Sequence, residues 1–589
     1  MKITFPTLGR KELIYLFRLL FVLISFSPIT KTYGQDVEQV YENAKNTVDQ
    51  AFEKPFVISG GLSAGLNFNY VSGIDNRSDP FSYQLNANLN INLFQKVNIP
   101  LSFNFADSQI AYNYQLPSYK FYGMSPSYKW ATLHVGNRTM ELSPYSFSGQ
   151  SFNGVGVELK PGKYQISAFY GQLQRASSPE LLGVQNLQPI YERKGWGTKV
   201  GYESNGKKYA LIVFKATDDE NSIENTSTLF ETRPSENLVL SGIFQQNLSS
   251  KLSIAIDYGF SILTRDKTAL ELEQDGNLLH GLINNNGSTN HYNAVKTSLN
   301  YQLNKTNAFR LNYERIDPGY RTLGSLYFQN DLENYTISSS SSFFKNALSL
   351  SGNLGVQRNN LNGNALNTAI RFVGNINASM RFNKKLNVNL SYSNFSATSV
   401  VQIIDPDSPT NEFTAQSLAQ INQNANLNLN YSLNEENTSS LMGMFSYQNA
   451  SSLRDEQTVE SQASNFYLAN LGYTFREPEK NIQIQGSILG NLGYINFRQI
   501  LNIAPAASFA TSFFEKKLQF STRTSYTFGF NNHVLDNAIF TFQIISGYVF
   551  LEKHSLNLNL RFIHRLTKQN PLLPKFYETG GNLNYSFSF

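Results

Sequence analysis

The chain of 589 residues has no cysteine. Disulfides, thiolate metal sites, a cysteine nucleophile and a lipid-modified N-terminal cysteine are therefore excluded. Charge is also scarce: Asp, Glu, Lys and Arg make up 15% of the residues, against about 25% in soluble globular proteins. A net charge of +5 over this length is too dilute for a nucleic-acid binder. Long apolar runs are missing too, so no helical membrane span of roughly 20 residues is available. The missing charge is not replaced by aliphatic residues, because mean hydropathy is −0.32. Asn, Ser, Gln and Gly take its place, with 33 Tyr and 44 Phe. Such a mixture suits a surface that is wet on one side and in lipid on the other.

The N-terminus reads as a secretory signal peptide over residues 1–34. Lys2, Arg10, Lys11 and Arg18 precede the apolar run Leu19–Phe26, and Thr32-Tyr33-Gly34 puts small residues where cleavage before Gln35 needs them. The apolar run is about half of a spanning helix. Residues 35–55 carry the one helical pattern: Val37, Val40, Tyr41, Ala44, Val48, Ala51 and Phe52 recur at steps of three and four before Pro55. This short amphipathic helix is expected at the periplasmic rim or inside a lumen.

From Phe56 to Phe589 the period is two. In Phe81–Leu93 the odd positions are Phe, Tyr, Leu, Ala, Leu, Ile and Leu, and the even positions are Ser, Gln and four Asn. Asn424–Leu433 and Leu556–Phe562 repeat the pattern. Successive side chains of a strand point to opposite faces, so one face is apolar and the other polar. The segments are longer than the five or six residues usual in soluble sheets. Backbone groups in hydrocarbon have to be paired internally, so an exported membrane sheet has to close. The expected fold is all-β: a transmembrane antiparallel up-and-down β-barrel over residues 56–589.

Short turns are expected at 95–98, 160–163, 204–207, 303–306, 383–385, 434–437, 477–480, 514–516 and 552–554. They alternate with longer polar stretches such as 176–190, 217–234 and 264–290. The alternation gives about 26 strands, or about 24, with both ends on the side of the short turns.

Leu583, Tyr585, Phe587 and Phe589 alternate with Asn584, Ser586 and Ser588 at the end of the chain. This looks like the terminal-strand signal of barrels inserted by the outer-membrane assembly machinery. The resemblance implies that Tyr585, Phe587 and Phe589 dock on that machinery. With Gln35 after the cleavage site and the Asn-rich strands, the whole chain resembles large outer-membrane barrels of Bacteroidota type. A plugged TonB-dependent transporter is not expected, because strands begin near Phe56. Gly136-Asn137-Arg138 through Pro144-Tyr145-Ser146-Phe147-Ser148-Gly149 to Gly154–Leu159 is motif-like, with no function attached to it.

Chemical motifs are absent. The six His make no metal-binding pair, and there is no nucleophile elbow or phosphate-binding loop. His134 shares a face with Thr132 and Arg138, without a Ser and Asp in a recognisable motif. Asp218-Asp219-Glu220 with Glu224 reads as a solvated acidic loop rather than a Ca²⁺ site. No catalytic activity, cofactor or metal is expected. The lumen face carries a basic set instead: Lys296, Arg310, Arg371, Arg381, Arg523, Arg561 and Arg565, with Glu314 the clearest acid. Lumen charge tunes barrel selectivity.

The expectation is a porin-like channel for polar solutes, anions included. The alternative is a structural or accessory barrel of an export or assembly complex, without transport of its own. The expected partners are outer-membrane lipid, the assembly machinery and, to occlude so wide a lumen, a surface or periplasmic protein. Loops 140–152 or 264–290, or the N-terminal helix, are the internal candidates for the same task.

Overall fold

The computed structural model describes residues 56–589 apart from 75–78, 95, 108–120, 177–189, 224–231, 271–281, 284, 326–327, 365–367, 369, 405–412, 455–456, 459–462, 496–497 and 567–573. The signal peptide and the helix over 35–55 lie outside the described residues. The chain divides into two compact units. The smaller is Met1–Val57 with Leu93–Lys96; its described part is two strand ends and a turn, where Lys96 N–H donates to the Leu93 carbonyl at 3.0 Å. The larger, Ile58–Asn92 with Val97–Phe589, contains the sheet.

The sheet is a closed antiparallel barrel of 26 strands. Each strand pairs with its neighbours in sequence, from Phe56–Ser72 to Phe576–Ser588, and the last pairs with the first. Closure runs in one register from Gly61 opposite Ser588 to Ser72 opposite Tyr577. Two backbone bonds between Gly60 and Phe589, at 2.9 and 3.0 Å, extend it. The count treats Phe121–Met124 and Ser127–Tyr128 as one strand, since both halves keep a single register with Ala131–Thr139. Pro126 interrupts the ladder between them because it has no N–H to donate. Gln457–Thr458 is a short annex on Ser439–Arg454.

All the expected short turns are present. Three more, at 129–130, 248–251 and 344–347, were not expected. They have weak Gly/Pro punctuation, so the alternation on either side runs through them. On the opposite side, the connections include a tight one at 532–533.

The period of two is kept through the whole sheet. Leu62, Leu66, Phe68 and Tyr70 of the first strand are exposed on the outer face, while Asn67 turns inward to Asn582, 2.6 Å away. Rings gather in two belts on the outer face. On the side of the short turns Tyr164, Tyr202, Tyr209 and Phe244 form a ladder, with centroids 5.7, 6.3 and 5.2 Å apart. On the other side Tyr313 meets Tyr335 at 5.1 Å and His564 meets Tyr577 at 4.3 Å. On the last strand Tyr577 and Phe587 mark the two belts. Ten residues span roughly 34 Å along a strand, and a tilt of about 40° brings this near the 25 Å apolar band of an outer-membrane barrel.

The end of the chain belongs to the lower belt. Phe587 stacks on His554 at 4.5 Å and on Phe589 at 5.2 Å, and Tyr585 lies 2.7 Å from His554 Nδ1. Ser588 lies on the inward face. Phe587→Asp or Phe589→Asp should therefore abolish the heat-modifiable folded band on gels, whereas Ser588→Asp should retain most of it. Equal folded fractions in all three variants would contradict this placement.

Candidate functional site

The lumen is asymmetric because of two short segments that fold into it. The first is 140–150. Ser143-Pro144-Tyr145-Ser146 forms a turn, with Pro at the second position and Ser146 N–H donating to the Ser143 carbonyl at 3.2 Å. The second is 317–325. It opens with Asp317-Pro318-Gly319-Tyr320, where Tyr320 N–H donates to the Asp317 carbonyl at 3.1 Å. Gly319 has φ +83°, which a side chain resists and a turn of this kind requires.

The two segments are bound to each other and to the wall. Phe147 bridges in parallel to Gly324, Ser148 N–H donates to the Gly324 carbonyl at 3.1 Å, and Tyr320 Oη donates to the Tyr145 carbonyl at 2.7 Å. From the wall, Lys199 Nζ donates to the Leu142 carbonyl at 2.9 Å. The fully buried Asn237 accepts from Leu323 N–H at 3.1 Å and donates to Ser261 Oγ at 2.9 Å. Tyr145 Oη donates to Glu314 at 2.9 Å. Burial and then Glu314 push the Tyr145 hydroxyl far above its ordinary range, which keeps it a donor.

The apolar contact is larger than the polar one. Phe147 is fully buried among Phe169, Phe152 and Phe214, with centroids 4.4, 6.5 and 5.6 Å away, in a cluster that includes Leu142, Ile212, Val239 and Leu323. Each such ring pair adds about 0.5–1.5 kcal/mol beyond its burial. The wall makes room at Gly259, where a Cβ would stand 2.6 Å from both Tyr145 Cβ and Tyr320 Oη. The motif-like run from Gly136 to Leu159 is thus this segment and its flanking strands. Segment 264–290 is not an occluder where it is described. Its Ile283 covers Leu238 and Ile262, which alternate onto the outer face while Val239 and Ser261 point inward. The polar period of the sequence does not distinguish a loop folded in from one folded over the rim.

Across the lumen the wall is polar. All seven basic residues occupy inward positions of the register, but the structure does not gather them. Lys296 stands opposite Glu314, Nζ 3.9 Å from the carboxylate. Arg310 donates to Asn300 Oδ1. Arg371 and Arg381 lie at opposite ends of Ile370–Arg381, and Arg371 has contacts of its own. Arg523 and Arg561 share a rung with Gln543 between them, which puts their backbones about 10 Å apart. Arg561 pairs with Glu578 at 3.0 Å, and Arg565 lies 5.9 Å from the Phe576 ring centre. Arg381 and Arg523 are exposed to the lumen with no acid beside them among the described residues. Inward acids are more numerous than expected: Glu158, Glu203, Asp218, Asp257 and Glu578 join Glu314. Each is a single inward position whose partner lies on another strand, so a sequence period does not reveal it.

His134 acquires partners that the sequence did not suggest. Ser125 Oγ lies 2.9 Å from its Nδ1, and Glu158 lies 3.8 Å from its Nε2. The carboxylate also faces Lys160 at 3.4 Å. At 3.8 Å the contact between Glu158 and Nε2 is longer than a hydrogen bond, so the one hydrogen bond of the ring given by the described residues is that to Ser125. The acidic run is engaged as well. Asp218 binds Arg193 at 2.7 Å, Asp219 accepts from Asn221 N–H at 3.1 Å, and Glu220 pairs with Lys267 at 3.0 Å. Glu224 lies outside the described residues.

No family model and no curated relative matches the chain. Solved structures with a similar course include the translocation pore of the P pilus usher PapC, at 12% identity over 90% of this chain and 99% of that one, TM-score 0.39. The FrpB iron transporter from Neisseria meningitidis follows at 11% over 90% and 81%, TM-score 0.37. BauA, the ferric preacinetobactin receptor from Acinetobacter baumannii, matches at 10% over 90% and 80%, TM-score 0.34. At this distance they have no bearing on what passes through this barrel.

The seating of 140–150 is testable apart from the barrel. Phe147→Ala should weaken it by about 3–5 kcal/mol, and Gly259→Val should displace Tyr145. Both variants should keep a heat-modifiable barrel and become several-fold more sensitive to protease within 140–150. Cleavage no faster than in the unmutated protein would refute the packing.

Proposed function

We propose that the protein is a permanently constricted outer-membrane channel for polar solutes. One observation carries the reading: the lumen is filled on one side by two segments fastened to the wall, and lined elsewhere by polar side chains, most of them uncharged. Twenty-six strands about 4.8 Å apart make a perimeter of roughly 125 Å before tilt. Barrels of 16–18 strands already leave an aqueous channel, so an unfilled lumen of this size would leak. Segments 140–150 and 317–325 narrow it. Their apolar packing supports a fixed constriction rather than a lid.

Residues 1–34 are the export signal, cut before Gln35. The assembly machinery inserts the chain through Tyr585, Phe587 and Phe589, and the Asn-rich strands support a Bacteroidota-type source. The protein performs no catalysis. Fixed positive charge at Arg381, Arg523 and Arg310 gives a weak preference for anions.

Single-channel recording in planar bilayers tests this. Steady conductance with anion preference at low salt is expected, fading as the Debye length falls from about 10 Å at 0.1 M to about 3 Å at 1 M. Arg381→Gln with Arg523→Gln should lower the anion preference more than Arg561→Gln, whose charge is already opposed by Glu578. Silence of the folded protein would favour the accessory-barrel reading, and cation preference would refute the charge assignment.

A further inference from the structure

We propose that the neutral arc of the lumen wall is a binding surface for an uncharged oligosaccharide; this names the solute class of the channel reading and rests on it. One rung of the sheet runs through nine consecutive strands as Asn300, Arg310, Ser338, Asn353, Asn375, Ser393, Asn424, Gln448 and Phe466. The next inward rung toward the short turns is Ser340, Ser351, Asn377, Ser391, Asn426 and Ser446. In these two rows a single residue, Arg310, is charged.

The surface is concave as well as polar. A recess of about 500 Å³ is lined by Asn312, Thr336, Asn353, Asn375 and Ser393, with Lys296, Arg310 and Glu314 among its other walls. A second, of about 220 Å³, adjoins it at Ser351, Asn377 and Ser391. Within the larger recess Asn334 Oδ1 is buried with no partner among the described residues. At the far end of the first rung the ring of Phe466 lies over Gly493, its nearest carbon 2.9 Å from where a Cβ would be. Phe466 is half-buried at this inward position.

The chemistry selects the ligand class. An amide offers two donors and an acceptor, and a serine hydroxyl offers both roles. A field of both therefore matches groups that donate and accept at once, which are hydroxyls. An anion would be met by donors alone, and an acyl chain by apolar side chains. Adjacent strands present these groups about 4.8 Å apart, close to the length of one pyranose ring. The C–H face of a sugar ring is apolar and stacks on an aromatic ring, which Phe466 supplies at the edge of the polar field.

The test separates the site from the channel. Maltohexaose, cellohexaose and xylohexaose are titrated into the detergent-solubilised full-length protein by calorimetry, beside anionic hexagalacturonate. The same sugars are then added to the protein in planar bilayers. At least one neutral hexamer should bind and interrupt the current. Asn353→Ala with Asn375→Ala, and separately Phe466→Ala, should each weaken it tenfold or more. Asn90→Ala with Asn92→Ala, on another part of the wall, should not. If the Asn353/Asn375 variant fails to give a heat-modifiable barrel, Asn424→Ala and Phe466→Ala decide the matter. Binding in detergent by a protein silent in bilayers supports the site and rejects the channel. A conducting protein that binds none of the neutral hexamers, binds the anionic one better, or binds equally in all variants overturns the proposal.

Discussion

Everything in this protein depends on the requirement that backbone N–H and C=O groups in hydrocarbon be paired within the protein. A sheet meets it only by closing, and here Phe56–Ser72 and Phe576–Ser588 close it over twelve register positions. Closure makes an inside and an outside, and a period of two then assigns each side chain to one of them. Few helical stretches, little charge and many Asn and Phe are therefore one property. A polar residue at every second position wets the lumen, and an aromatic or aliphatic one between them meets lipid.

The same constraint creates a second problem. A barrel of 26 strands surrounds more space than its inward side chains fill. Two turns fill part of it. Ser143-Pro144-Tyr145-Ser146 and Asp317-Pro318-Gly319-Tyr320 bring Phe147, Tyr145 and Tyr320 onto a wall whose inward positions have become apolar, at Phe169, Ile212, Phe214 and Val239. The rows from Asn300 to Gln448, nearer the short turns and running on into the following strands, keep amides and hydroxyls apart from Arg310. The division runs both around the wall and along it, since the strands of Asn300, Arg310 and Ser338 also carry Ala294, Ile316 and Leu332 under Tyr145 and Tyr320.

Fold class, strand count and the inward placement of the seven basic residues were legible because they depend only on a period of two and on turn spacing. The inward fold of 140–150 was not. Its signals were present, in Pro144 and in apolar residues at inward positions such as Phe214. In a barrel sequence, however, an apolar residue at an inward position reads as a break in the pattern until its partner is known. The partner of Phe147 is Phe169 on another strand, and that of Tyr145 is Glu314, 169 residues away. The pairing of Arg561 with Glu578 was hidden for the same reason, since it spans two strands. The outward seat of Ile283 also follows from contacts and not from composition.

The absence of native cysteine makes one measurement direct. Single cysteines at Asn353, Asn375, Leu142, Phe147 and Phe372 can be probed in the membrane-embedded protein with a small, charged, membrane-impermeant thiol reagent. The account predicts rapid labelling at 353 and 375, which face an aqueous arc. It predicts protection at 142 and 147, which are sealed against the wall, and at 372, which faces lipid. Protection at 353 and 375, or labelling at 147 as fast as theirs, would contradict a lumen that is open on one side and filled on the other.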